Sequence, residues 1–160
     1  MENENIFFVG KVAVTGLVTA FAAAFGWLGI LGAAWVGCMA ADYISGSAVA
    51  CKAGEWSSAK ARSGLWHKGG MILVVAVAGM ADGVLGAALP NLPILGGTVE
   101  YSGLLLPMTI CWYILTELGS ILENANALGA PLPGFLIKAL AVAKDKIDDL
   151  GDDQETADKE

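Results

Sequence analysis

Apolar positions in this chain gather into long runs, with neither the alternation of a half-buried strand nor the narrow stripe of a soluble helix. Thirty residues without a charge separate Lys11 from Asp42. As one helix they would extend about 45 Å, against a bilayer hydrocarbon core of about 30 Å. Two crossings, over 6–25 and 28–50, are therefore predicted, with a tight turn at Gly26-Trp27, Lys11 snorkelling and Asp42 near one end. A single crossing, giving three spans in all, is the alternative. Two further runs have spanning length: 71–89, broken only by Asp82, and 102–122, broken only by Glu117. After turn residues, Phe135, Leu136, Ala139, Leu140, Ala143 and Ile147 recur at helical spacing, which predicts a short amphipathic helix on the membrane surface. The chain thus reads as an all-α integral membrane protein. Its parts are a transmembrane domain over 1–130, an interfacial helix over 131–147 and a disordered acidic tail over 148–160.

The polar residues inside these runs are not scattered. At about 100° per residue, Thr109, Tyr113, Thr116, Glu117, Ser120, Glu123 and Asn124 fall within an arc of roughly 120° on the last span. Such a stripe must face protein or water, because polar groups facing lipid cost kilocalories each. In the third span Asp82 shares a face with Val75, Gly79 and Gly86, an acid among glycines that suggests close helix contact. In the second, Gly29, Ala33, Gly37 and Ala41 recur every fourth residue, a seam along which backbones can approach closely. Two readings of the carboxylates stand side by side. They are neutral or hydrogen-bonded groups that hold helices together, or they line a hydrated lesion or channel in an assembly.

Composition agrees with the membrane assignment: 56% hydrophobic, 16% charged, mean hydropathy +0.62. Of the net charge of −7, the stretch from Asp145 to Glu160 carries −6, so the body is almost neutral. Orientation follows from Lys and Arg. Lys52, Lys60, Arg62 and Lys68 crowd one connection and Lys138, Lys144 and Lys146 follow the last span, whereas 90–103 carries none. The basic connection and the C-terminus are expected on the cytoplasmic side, and with two crossings before Asp42 so is the N-terminus. "MENENIFF" opens on acids, and no small-residue cleavage site follows the apolar stretch, so the first segment is expected to remain in the mature protein.

Little here suggests chemistry on a substrate. There is no Ser-His-Asp set, no HExxH and no P-loop pattern, and the glycines at 26, 29 and 32 open no strand-turn-helix unit. Cys38, Cys51 and Cys111 lack metal or redox spacing and read as small core hydrophobes. With one histidine, His67, a metal site is not expected; His67 itself reads as an interfacial polar anchor, with a proton switch as the alternative. No enzyme activity, cofactor or nucleic-acid partner is expected.

"DYISG" at Asp42 to Gly46, Ser57-Ser58 followed by Gly64 and Lys68, and "ELGSILENANALGAPLPGFLIKAL" from Glu117 onward carry a family resemblance. In the order and spacing of these blocks, the chain resembles the phage holins related to the clostridial toxin-secretion holins. On matching positions the pattern falls on Asp42, Tyr43, Gly46, Ser57, Ser58, Gly64, Lys68, Glu117, Ser120, Glu123, Asn124, Pro131 and Pro133. The resemblance implies a protein that oligomerises in the bacterial cytoplasmic membrane and permeabilises it at a set time. A cell-wall-degrading endolysin then reaches its substrate without needing direct contact with the holin. The expected partners are the bilayer and further copies of the chain. A holin-like exporter of a large toxin and a small ion-coupled transporter are the alternatives; for the latter, no matching pair of broken helices is found.

Overall fold

A computed structural model of the chain describes residues 2–92 and 101–157. The central part of the loop between the third and fourth spans, 93–100, and the last three residues of the acidic tail lie outside them. Helix α1, Glu2–Phe25, and helix α2, Trp27–Lys52, meet at Gly26. There the backbone takes φ 61°, a left-handed value open to glycine, so the chain reverses within one residue. The two-crossing reading of the first region is the one seen. Helix α3, Ser58–Ala88, starts at Ser57, whose hydroxyl accepts from the Lys60 N–H at 3.2 Å, and ends in a short 3-10 turn, Leu89–Asn91, at Pro90. Helix α4, Leu105–Leu128, stops at Gly129 with φ 104°, a left-handed C-cap. After Pro131 and Pro133, helix α5 occupies Gly134–Ala157.

Four of these helices are long and apolar enough to cross a membrane, and no strand occurs among the described residues. The protein is an all-α membrane protein. Helix α4 is its centre, packed against α2, α3 and α5, while α1 leans on α2 alone. Trp35, Met39, Met71 and Ile110 form a small apolar core between α2, α3 and α4. Lys52 Nζ donates to the carbonyls of Ala127 and Leu128, both at 3.0 Å, which brings the C-terminal ends of α2 and α4 together. A cation at the negative end of a helix is worth about 0.3–1 kcal/mol. Helices α2 and α4 are therefore parallel and pack directly on each other, and α3 lies along α4 in the opposite sense.

Three expectations differ from what is seen at the C-terminus. A helix over 131–147 with a disordered tail from 148 is predicted, but α5 runs unbroken to Ala157. No proline follows Pro133, and a run of Asp, Glu, Gln and Ala can continue a helix already nucleated by packing. Nor does α5 stand apart from the bundle. The turn at Gly129 to Pro133 sends it back along α4, where Leu136, Leu140, Ala143 and Ile147 are half-buried. Phe135 and Ala139, expected on that face, are exposed.

Candidate functional site

Glu117, at the middle of α4, is the one buried charged side chain among the described residues, 3% exposed. Its two carboxylate oxygens accept from Lys68 Nζ at 2.7 and 2.6 Å. The same ammonium donates to Asp42 Oδ2 at 3.0 Å. Asp42 Oδ1 accepts from Asn124 Nδ2 at 3.0 Å, and that amide also donates to Ser45 Oγ at 3.0 Å. Ser45 in turn donates to the backbone carbonyl of Asp42 at 3.1 Å. Three helices thus contribute to one hydrogen-bonded cluster in which both carboxylates have donors on both oxygens. Two acids share one ammonium, so a cluster with all three groups ionised carries a net charge of −1.

Its depth follows from helix geometry. Asp42 lies ten residues before Lys52, Lys68 ten after Ser58 and Glu117 eleven before Leu128. At about 1.5 Å per residue each is about 15 Å along the bundle from its basic end, so the three side chains stand at one level. Lys68 thus turns into the bundle, whereas Lys60 pairs with Glu55 at 2.9 Å where both side chains are exposed. That pairing, first through the hydrogen bond and then through charge, holds the Glu55 carboxyl below its usual range.

The small residues around the cluster explain how the helices come close. A Cβ on Gly46 would stand 3.5 Å from Asn124 Nδ2, and one on Gly64 would stand 3.9 Å from the Tyr43 ring. Between α2 and α3 a cleft of about 170 Å³ is walled by Asp42, Tyr43, Gly46, Ser57 and Gly64, among others. Ser58 opens α3 beside it. The motif residues Asp42, Tyr43, Gly46, Gly64, Lys68, Glu117 and Asn124 are thus brought together.

The stripe on α4 is divided instead of continuous. Tyr113, Glu117 and Asn124 turn toward α2 and α3, with Tyr113 stacked on Trp35 at 5.9 Å between ring centroids. Trp35 Nε1 is buried without a hydrogen-bond partner. Thr116, Ser120 and Glu123 lie on the α5 side, along a cavity of about 360 Å³. Thr116 donates back to the Trp112 carbonyl at 3.0 Å, and Thr109 lines a separate groove with Ile147 of α5.

Asp82 does not join the cluster. It caps α4 across the helix pair: Oδ1 accepts from Tyr101 Oη at 2.6 Å, Leu104 N at 3.2 Å and Leu105 N at 3.0 Å, and Oδ2 from Leu106 N at 2.8 Å. A carboxylate at a helix N-terminus satisfies donors that have no partner within the helix. Gly79 and Gly86 serve the same contact, since a Cβ on them would stand 3.7 Å from Leu106 and 3.9 Å from Tyr101. Of the α2 seam, Gly29 is buried and Ala33 half-buried, while Gly37 and Ala41 are exposed on the side away from α4.

Lys68, Lys52 and Tyr101 acquire partners that sequence reasoning missed. The available signal for Lys68 was its place three residues before the run beginning at Met71, within the reach of a helix that starts earlier than the apolar run.

The cluster falls inside the part of the chain shared with known sequences. The family model described as the bacteriophage holin family matches residues 19–145. An uncharacterized protein of Clostridium perfringens is 34% identical over 105 residues, 66% of this chain and 68% of its own. One from Halalkalibacterium halodurans is 32% identical over 103 residues, 64% of this chain and 70% of its own. One from Listeria innocua is 29% identical over 150 residues, covering 94% and 95%. No solved structure matches the chain at a significant level. With four spans and a family match over most of its length, the chain belongs to the bacteriophage holin family.

Proposed function

We propose that this protein is a holin that accumulates in the bacterial cytoplasmic membrane, oligomerises and at a set time permeabilises it, so that an endolysin reaches the cell wall. The observation that carries the reading is Lys68 held between Asp42 and Glu117, with matched residues of the family pattern meeting inside the bundle of spanning helices. Each acid and the lysine would be costly alone in lipid, at about 2.5–3.5 kcal/mol for Lys or Asp at a helix centre. Paired, they let three helices insert as a unit that is close to neutral. The exposed small residues Gly37 and Ala41 offer a face along which copies approach.

In this reading the inner margin of the stripe, Tyr113, Glu117 and Asn124, keeps the protomer together, and the outer margin, Thr116, Ser120 and Glu123, meets water once copies have assembled. The outer margin costs energy facing lipid and gains it when hydrated, which makes a two-state element. No covalent step is required, and Asp82 acts as a cap. The C-terminus and the basic connection face the cytoplasm by the distribution of Lys and Arg.

The test is expression in a bacterium with and without a cytoplasmic endolysin, followed by an energy poison. Premature lysis that requires both proteins is the expected result; steady growth after poisoning would reject the holin reading.

A further inference from the structure

Helix α5 carries charged side chains on the face turned away from α4. Near the middle of α5, Trp112 Nε1 donates to Asp148 Oδ1 at 2.8 Å and Lys144 Nζ sits 4.4 Å over the Trp112 ring. Trp112 precedes Leu128 by sixteen residues, so α5 reaches about 24 Å along α4 from the basic end, to the middle of the apolar run over 102–122. Opposite its half-buried face, Lys138, Asp145, Lys146 and Asp149 are exposed within an arc of about 100°. Against acyl chains these charges would be stripped of water with no partner on that side. The seat beneath α5 is loosely filled. The 360 Å³ cavity there is walled in part by Thr116, Ser120, Glu123 and Lys144, enough polar surface and room for several waters.

We infer that α5 folded along α4 is the hydrated state of the protein, in which the charged outer face of α5 forms the water-facing wall of the lesion. In the intact bilayer α5 swings out on the 129–133 turn and lies on the basic surface, where Leu136, Leu140 and Ile147 enter the interface and the lysines stay in water. The covering of the outer margin of α4 by α5 of the same chain is thus linked to opening. This inference rests on the holin reading and refines it: the outer margin of α4 meets water in the cavity beneath α5, and the outer face of α5 walls the lesion itself.

The test uses the full chain with Cys38, Cys51 and Cys111 replaced by Ala and a cysteine pair, Ser120→Cys with Leu140→Cys, on the two walls of the cavity. A short membrane-permeant bismaleimide is added to cells before and after poisoning, while uptake of an impermeant dye reports permeabilisation. The internally cross-linked monomer should be at least ten-fold more abundant after permeabilisation. Equal abundance before and after, no cross-link in permeabilised cells, or a band at twice the mass would each overturn the inference while leaving the holin reading in place. A companion variant, Leu140→Asp in the otherwise native chain, puts a charge into the seat. Its dye uptake should fall at least ten-fold with membrane accumulation unchanged, and undiminished uptake overturns the inference. If the native chain itself never admits dye, the holin reading fails, and this inference with it.

Discussion

Lys68 and Glu117, 49 positions apart, meet at the centre of the bundle with the ammonium 2.7 and 2.6 Å from the two carboxylate oxygens. Removing one member of a buried pair leaves the other without a counter-charge, at a cost of about 3–5 kcal/mol. Lys68→Met should therefore lower the thermal unfolding midpoint of the detergent-purified protein sharply. Adding Glu117→Gln to it should recover part of the loss, because the stranded charge is removed as well. A single variant that melts with the parent would remove the pair from the forces that hold the fold.

Glu117 and Glu123 should part company. The first is 3% exposed and bound to Lys68, whereas the second is exposed at the α5 side. Glu117→Gln is expected to change both stability and lysis timing. Glu123→Gln should stay within about 0.5 kcal/mol of the parent in stability, as surface substitutions do, and act on timing alone. Melting curves and lysis time courses of the two variants check this; equal loss of stability in both would contradict the division of the stripe.

Asp82 holds the start of α4, so Asp82→Ala should cost about 1–2 kcal/mol for the lost cap. Amide hydrogen exchange at Leu104, Leu105 and Leu106 is the direct measurement. Protection there should fall before it falls elsewhere in α4.

Tyr101 supplies a pH dependence to the same contact. Its hydrogen bond to Asp82, with burial second, raises the phenol above its ordinary value near 10. A raised folded-state value means the contact contributes fully below the ordinary value and is lost as pH climbs through the raised one. An absorbance titration of the parent minus Tyr101→Phe should show one tyrosine ionising late, and Asp82→Asn should bring it down. Ionisation at or below the ordinary value would show that the bond is not made in solution.

Gly46 tests how close α2 and α4 must be. A Cβ there would stand 3.5 Å from Asn124, an ordinary contact, so Gly46→Ala should be nearly neutral. Gly46→Val would press on Asn124 and displace its amide from Asp42, costing about 1–3 kcal/mol as overpacking does. Thermal midpoints of the two variants separate these outcomes.

Run length alone determined the all-α membrane class, the four spans and the reversal at Gly26, because a bilayer admits only helices of a certain length and a thirty-residue uncharged run exceeds one of them. The wheel also placed the polar residues of α4 on one side. What it did not determine is which partner each would find. Glu117 and Glu123 sit at opposite margins of the same stripe, and a difference of about 120° around one helix puts one inside and the other outside once α2, α3 and α5 surround it. Lys68 looks like a topology signal beside Lys60, and only the long helix α3, which begins at Ser58 and carries Lys68 about 15 Å along the bundle, turns it into the counter-charge of two acids. Periodicity along a chain fixes the face a residue occupies; the packing of distant helices decides whether that face meets lipid, water or a charge of opposite sign.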